Sequence, residues 1–169
     1  QLSSAYVPIS ASIIRGDMYE AMIEPSSQVG VFGHGYTYSG HPLGCAVALK
    51  CLEIYERDDI FAKAARVGEY FQQKMAKFSS HELVGEVRGR GLLGALEIVA
   101  DKETGAVFPP AVAAYLAQAC QEHGLIGRAV AGSALAFCPP LIITEEQVDE
   151  LADKLTKGLD QTLAHVRDQ

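Results

Sequence analysis

Residues 33–42 read Gly33-His34-Gly35-Tyr36-Thr37-Tyr38-Ser39-Gly40-His41-Pro42, with three glycines, two small hydroxyl side chains and a proline in ten positions. This composition suits neither a packed helix nor the inside of a sheet, because glycine permits positive φ angles and proline removes a backbone donor. The apolar run over residues 43–55 predicts a helix with Pro42 at its first position. A loop of this kind before a helix can present N–H groups and the Thr37 hydroxyl to an anion. A phosphate site and a tight structural turn both remain open at this point.

The composition is that of an ordinary globular protein, with 169 residues of which 49% are hydrophobic and 21% charged. The formal net charge of −7 argues against nucleic acid or an anionic membrane as the main partner, because either needs clustered positive charge. No apolar run approaches the roughly 20 residues that span a bilayer. The sequence does not begin with Met and starts abruptly in mid-pattern, so we expect it to be a piece of a longer chain.

The cysteines and histidines show no metal-binding pattern. No CxxC pair occurs, and the spacing of the four cysteines fits no metal template. We expect all four to be buried free thiols and infer a reducing, cytoplasmic location as the default. His34 and His41 flank the glycine-rich loop without further ligands at a suitable spacing, so we expect loop hydrogen bonds there and no metal. The cysteines are Cys45, Cys51, Cys120 and Cys138.

The first part of the chain predicts short elements on either side of the glycine-rich loop. Residues 9–15 are β-branched and apolar and predict a strand. Residues 18–23 predict a short helical turn that stops before Pro25. The helix over residues 43–55 is apolar almost all round, so we expect it to be buried.

The second part predicts alternating strands and helices. Asp58-Asp59 is expected to cap an amphipathic helix over residues 60–78, and Thr144 to form a capping box with Gln147. The apolar stripe of the first of these helices consists of Phe61, Ala64, Ala65, Gly68, Phe71 and Met75. Between the two, the sequence predicts strands at 83–90 and 92–99, a helix at 111–123 ended by Gly124, and a hairpin at 125–130 and 134–137.

These elements divide the chain into three parts. Residues 1–57 are predicted to belong to a larger α/β domain, residues 58–79 to form an interdomain helix, and residues 80–169 to form a small α+β domain. The predicted fold class is therefore α/β.

Five motifs occur in order along nearly the whole chain: residues 2–8, residues 35–42, Val87-Arg88-Gly89-Arg90-Gly91-Leu92, Leu125-Ile126-Gly127-Arg128 followed by Phe137-Cys138-Pro139-Pro140-Leu141, and residues 144–149. Together they resemble the signature segments of class III (ω-amino acid:pyruvate type) aminotransferases, which use pyridoxal 5′-phosphate. The resemblance implies the C-terminal portion of a fold type I enzyme, with the end of the large α/β cofactor domain and a small α+β domain.

The resemblance also assigns roles to particular residues. Thr37 would hydrogen-bond the cofactor phosphate, with Tyr36 beside it, in a site shared across a homodimer interface. Arg128 would pair with the carboxylate of an amino or keto acid, because a planar guanidinium fits a carboxylate at two points. Arg88 and Arg90 resemble an anion site by composition, but at this position we expect structural salt bridges.

The groups that perform the chemistry in this family are not in the sequence. The Schiff-base lysine would fall immediately before Gln1, and the upstream aspartate, stacking aromatic and Gly-Ser phosphate loop are also absent. The lysines that are present begin with Lys50 and have no suitable motif around them. We therefore expect no catalytic residue in this chain and no transamination by it alone.

The leading functional hypothesis is transfer of an amino group from an amine or ω-amino acid to pyruvate or another 2-keto acid. An aminomutase, racemase or decarboxylase on the same cofactor is the alternative, because a fold does not fix the reaction. A third possibility is a non-catalytic fragment that dimerises through residues 35–42 and the helix after them.

Overall fold

The computed structural model describes residues 2–168, and the chain divides between Asp58 and Asp59 into two compact units. The first unit contains two helices, α1 (Gly16–Val29) and α2 (Pro42–Arg57). The second unit alternates helices and strands, and it holds most of the buried core. Its elements are α3 (Ile60–Ala76), a 3-10 helix (Lys77–Ser80), β1 (Val84–Arg90), β2 (Leu93–Asp101), β3 (Ala106–Val107), α4 (Pro110–Glu122), β4 (Arg128–Val130), β5 (Ala134–Phe137) and α5 (Glu145–Arg167).

The strand predicted over residues 9–15 is wrong. These residues form neither helix nor strand and pair with no other segment of the described chain, and Ile13 is 96% exposed. Strand propensity reflects packing on a pleated surface, and a single extended segment without a neighbour leaves its backbone groups to water.

Helix α1 is longer than predicted, because it continues through Pro25 instead of ending before it. A proline inside a helix removes one backbone hydrogen bond, and here the helix gains a further turn beyond it. It ends at Gly30, which has a φ of 104° and donates its N–H to the Ser26 carbonyl oxygen. Pro25 therefore does not end the helix, and the predicted end before it is wrong.

Helix α2 confirms the predicted helix with Pro42 at its start, but the prediction that it is buried is wrong. Within it only Ala48 and Cys51 are buried, and the side chains of Leu43 and Leu49 are each 62% exposed. A helix that is apolar all round normally lies inside a protein. The described residues therefore leave uncovered a surface whose composition is that of a core.

The second unit contains an antiparallel sheet in the order β1-β2-β5-β4, and the short strand β3 pairs with the last residues of β2. The hairpin β4–β5, the helix α4 ended by Gly124 with a φ of 80°, and the capping box of α5 are all as predicted. Strand β3 was not predicted, because two residues carry no periodicity.

One face of this sheet forms the core against α3, α4 and α5. Phe71, Leu96, Leu116, Leu135 and Leu155 are completely buried there. The close packing explains a glycine on β2, since a Cβ on Gly94 would lie 2.8 Å from the Phe71 ring. Burial of these apolar side chains is the main contribution to the stability of the second unit.

Three details of the predicted helices and thiols need correction. Asp59 precedes α3 with a left-handed φ of 47° and makes no side-chain cap bond, and Phe61 and Ala65 of the predicted stripe are exposed. Cys45 and Cys138 are exposed, whereas Cys51 and Cys120 are buried as predicted. Burial raises the pKa of the Cys120 thiol to about 11.

Within residues 2–168 no helix is both long and apolar enough to cross a membrane.

Candidate functional site

The glycine-rich stretch forms a tight turn over residues 37–40 that is closed by its own hydrogen bonds. The Ser39 N–H donates to the Tyr36 carbonyl at 2.8 Å, and the Tyr36 N–H donates to the Ser39 hydroxyl at 3.0 Å. Gly40 adopts a φ of 70°, which a residue with a side chain rarely adopts. The geometry of the turn therefore needs the glycine and the serine, and it does not use the Thr37 hydroxyl.

Thr37 is exposed, and its hydroxyl has no hydrogen-bond partner among residues 2–168. Tyr36 is exposed beside it, with its ring edge-on to that of His34 at 5.6 Å between centroids. Helix α2 begins five residues after Thr37, where His41 Nδ1 accepts the N–H of Leu43 at 3.3 Å. The His41 side chain therefore makes the loop hydrogen bond predicted for it.

This turn fits one end of pyridoxal 5′-phosphate, namely its phosphate. A threonine hydroxyl with no other partner can donate to a phosphate oxygen, and a charge-assisted hydrogen bond of this type is among the strong ones. The nearby glycines leave the backbone accessible, since a Cβ on Gly33 or Gly35 would meet nothing within 4 Å. Among the described residues no group of three or more His, Cys, Asp or Glu side chains could hold a metal ion.

Arg128 lies on β4, an edge strand of the sheet in the second unit. The register forms one row across all four strands, in which Arg88 is opposite Ala95, Ala95 opposite Ala136, and Ala136 opposite Arg128. Side chains alternate between the two faces of a strand, so this row is on the face away from the buried Leu96 and Leu135. Two alanines thus form the floor between two arginines at opposite edges.

This outer face lines an open cavity of about 690 Å³. Its walls include the side chains of Arg88, Arg90, Leu93, Ile126, Arg128 and Cys138, and none of the residues that line it is acidic. The Arg128 guanidinium makes no hydrogen bond or ion pair with any other described residue. The structure therefore places an exposed, uncompensated guanidinium at a cavity large enough for a small ligand.

Arg88 is held by two carboxylates, as predicted. Its guanidinium donates to Glu97 at 2.7 Å and to Glu86 at 3.2 Å, and Glu97 also accepts a hydrogen bond from the Ser133 hydroxyl. The hydrogen bond from Ser133, and then the one from Arg88, holds the pKa of the Glu97 carboxyl below its usual range. For Arg90 the predicted salt bridge is wrong, since it has no such partner within residues 2–168.

Sequence reasoning missed the roles of Glu97 and Ser133. Glu97 lies between Leu96 and Ile98 on an otherwise apolar strand, and a charged residue in that position is the signal that could have been used. Its contact with Ser133, which lies in the turn between β4 and β5, depends on the strand order and is not visible in the sequence. These two residues link Arg88 to the hairpin that carries Arg128.

The predicted site residues fall into two groups. Tyr36 and Thr37 lie together in one turn of the first unit, and Arg128 lies with Arg88 and Arg90 in one cavity of the second. The first lysine, Lys50, is on α2 and pairs with Glu53 at 2.8 Å, so it is not placed as a catalytic group.

A family model described as aminotransferase class-III matches residues 1–159. The chain belongs to the class III aminotransferases. A curated uncharacterized aminotransferase from Sinorhizobium fredii is 45% identical over 94% of this chain and 35% of its own length. A diaminobutyrate–2-oxoglutarate transaminase from Halomonas elongata is 40% identical over 95% of the chain and 35% of its own length. The gamma aminobutyrate transaminase 3 of Solanum lycopersicum is 39% identical over 95% of the chain and 31% of its own length.

A solved structure agrees with this family assignment. The ω-transaminase from Pseudomonas jessenii in complex with PMP superposes with a TM-score of 0.92 at 41% identity, over 98% of this chain and 37% of its own. The predicted fold class and the predicted family are therefore confirmed, and class III aminotransferases use pyridoxal phosphate. The chain spans about a third of the length of the curated relatives that it matches.

Proposed function

We propose that the full-length protein containing this chain is a pyridoxal-phosphate-dependent transaminase. It moves an amino group from an amine or ω-amino acid to pyruvate or another 2-keto acid. The observation that carries this proposal is the unpaired Arg128 guanidinium at an open cavity, in a chain that belongs to the class III aminotransferases. A guanidinium binds a carboxylate at two points, and the amino donors and acceptors of the proposed reaction share that group.

Each functional side chain of this segment has a binding role in the proposal. The Thr37 hydroxyl donates to a phosphate oxygen of the cofactor, and Tyr36 lies beside it in the same turn. Arg128 binds and orients the substrate carboxylate. When bound, the cofactor withdraws electrons from the substrate carbon that carries the amino group.

We assign no described residue of this chain to moving a proton at that carbon. We propose that this chain alone does not transaminate, because the seven lysines are Lys50, Lys63, Lys74, Lys77, Lys102, Lys154 and Lys157, and none is preceded by a motif of the family. The catalytic lysine would therefore belong to a part of the full-length protein outside this segment.

We propose that the protein works as a homodimer with a shared cofactor site. The exposed apolar side chains of the first unit support this, because large apolar side chains at a surface are typical of a surface that another protein surface covers. They include Ile13, Val29, Val31, Phe32, Tyr36, Tyr38, Leu43 and Leu49. Sedimentation of the full-length protein as a monomer at micromolar concentration would contradict this part of the proposal.

Two further proposals concern organisation and location. Residues 1–57 would complete a larger cofactor domain, residues 58–79 would connect it, and residues 80–169 would form the small domain; the division of the chain after Asp58 supports the first boundary. A cytoplasmic location is supported by four free cysteines, which are typical of a reducing compartment. Because the tomato relative is named chloroplastic, cell fractionation is the appropriate test.

The test of the proposed function is the visible absorbance of the purified full-length protein with added pyridoxal 5′-phosphate. We expect a yellow absorption band that disappears when an amine donor is added and returns with pyruvate. A band that disappears without release of an oxidised donor would favour a decarboxylase or mutase. The absence of any band would favour a non-catalytic dimerising protein.

A further inference from the structure

We propose that Gln72 is a positioning residue for the cavity that Arg128 lines, because it holds one wall of that cavity in place. This wall is the end of the β1–β2 hairpin, where Arg90 and Leu93 line the cavity. The inference rests on the proposed function, in which the cavity receives a substrate that carries a carboxylate. Gln72 itself lies on α3, against the inner face of the sheet, so it acts on the substrate only through the hairpin.

The turn at the end of this hairpin is short and consists of Gly91 and Leu92. Arg90 pairs with Leu93 in the register, and this is the last pair before the turn. Gly91 has a φ of 55°, in the left-handed region that favours glycine. Leu92 is buried in the core, whereas the Leu93 side chain is 58% exposed. The position of the turn therefore decides where the side chains of Arg90 and Leu93 lie in the cavity.

The Gln72 side chain connects this turn to α3 by two hydrogen bonds. Its Nε2 donates to the Gly91 carbonyl oxygen at 2.7 Å and to the Leu93 carbonyl oxygen at 2.8 Å. A carboxamide nitrogen carries two N–H groups, so both of its donors are used. Both distances are those of well-formed hydrogen bonds. A single side chain thus holds the backbone on both sides of Leu92.

Two glycines bring the turn close enough to α3 for these bonds to form. A Cβ on Gly68 of α3 would lie 2.8 Å from the Gly91 Cα, and a Cβ on Gly89 would lie 2.8 Å from Gln72 Oε1. Real Cβ atoms essentially never approach other atoms so closely, so a side chain at either position would push the turn away from α3. The space that these side chains would fill is occupied by the helix backbone and by the Gln72 amide.

The two faces of the hairpin end meet different partners. Side chains alternate along a strand, so the face of Gly89 that lacks a side chain is turned to α3 and the Arg90 side chain to the cavity. A shift of the turn away from α3 would move the Arg90 wall relative to Arg128, which lies on β4 at the other edge of the sheet. A substrate held by Arg128 would lose contact with that wall before and during the reaction alike. Such a loss raises KM and leaves kcat unchanged.

The first experiment measures steady-state constants for pyruvate in the full-length enzyme. Glutamate has nearly the shape of glutamine, but its carboxylate donates no hydrogen bond, so Gln72→Glu removes both bonds to the turn. We expect the KM to rise about three- to tenfold, with kcat within about twofold. The matched control is Gln73→Glu, which makes the same charge change at an exposed position of α3 and should alter neither constant. An unchanged KM in Gln72→Glu, or a fall in kcat without a rise in KM, would overturn the proposal.

The second experiment uses Gln72→Met, which removes the donors without adding a charge, and it also serves if Gln72→Glu does not fold. Amide hydrogen exchange of the full-length protein should become at least about threefold faster in residues 89–94 and stay unchanged in α5. Calorimetry with propionate, a carboxylate that cannot accept an amino group, should show binding weakened by about three- to tenfold. Unchanged exchange in residues 89–94, or unchanged propionate affinity, would contradict the role of Gln72.

The two experiments separate failure of this inference from failure of the proposed function. If the wild type transfers no amino group to pyruvate, the proposed function fails. Propionate binding that weakens in Gln72→Met would then still support the positioning of the cavity wall. Propionate binding that is independent of Gln72, or no propionate binding by the wild type, would overturn it.

Discussion

In the proposed function, Arg128 is the residue through which this chain contributes most directly to substrate recognition. Its guanidinium is exposed and uncompensated among the described residues. We expect Arg128→Gln in the full-length enzyme to raise the KM of donors that carry a carboxylate by about 10- to 100-fold, since a charge-assisted pair is lost. Steady-state kinetics with an ω-amino acid, and with an amine that lacks a carboxylate, measures this. An equal rise for both donors would show that Arg128 is structural instead.

In the same proposal, Thr37 is the residue that binds the cofactor phosphate. Its hydroxyl is not needed to close its own turn, because the bonds of Tyr36 and Ser39 do that. We therefore expect Thr37→Ala to weaken pyridoxal 5′-phosphate binding by about tenfold without a change in melting temperature of the apoprotein. Thr37→Ser should restore most of the affinity, as measured by fluorescence titration. Unchanged affinity in Thr37→Ala would contradict the phosphate role.

At the scale of elements, Glu97 links three strands through Arg88 on β1 and Ser133 beside β5. Its folded-state pKa is depressed, so its contribution to stability is present above the unfolded pKa of about 4.3 and is lost as the pH falls through the folded pKa. We expect the stability difference between wild type and Glu97→Gln to be constant above about pH 5.5 and to shrink below it.

Urea denaturation of the full-length protein between pH 7 and pH 3 measures the effect of Glu97. The matched control is Glu86→Gln, which removes the more exposed of the two partners of Arg88 at 3.2 Å and should have little effect. A stability difference for Glu97→Gln that grows on acidification would contradict the assigned role.

The elements that could be predicted from the sequence are those with a local signal. Helix α5 was predicted from its apolar period and from Thr144 and Gln147, whose reciprocal bonds form within four residues. The failures depended on distant partners: residues 9–15 have no strand to pair with in the described chain, and β3 exists only because Val107 pairs with Val99. In the site, Thr37 and Arg128 came from the family motifs, whereas the contact of Glu97 with Ser133 required the strand order.

At the scale of the whole molecule, the two units differ in how much apolar surface they bury. The second unit has a continuous core, and the first has large exposed side chains such as Val31 and Phe32. We expect a polypeptide of residues 59–169 to unfold cooperatively on heating, and one of residues 1–58 not to fold, because it cannot bury enough apolar area. Circular dichroism measures this. A cooperative transition for residues 1–58 would contradict it.

The central claim is that this chain is the part of a transaminase that holds the phosphate and the substrate carboxylate. The most direct measurement follows isotopically labelled nitrogen from an ω-amino acid donor into pyruvate in the full-length protein, with pyridoxal 5′-phosphate added. The account predicts labelled alanine in equal amount to the donor consumed, with none formed by the 169-residue chain alone. Consumption of donor without labelled alanine, or no consumption at all by the cofactor-saturated protein, would contradict it.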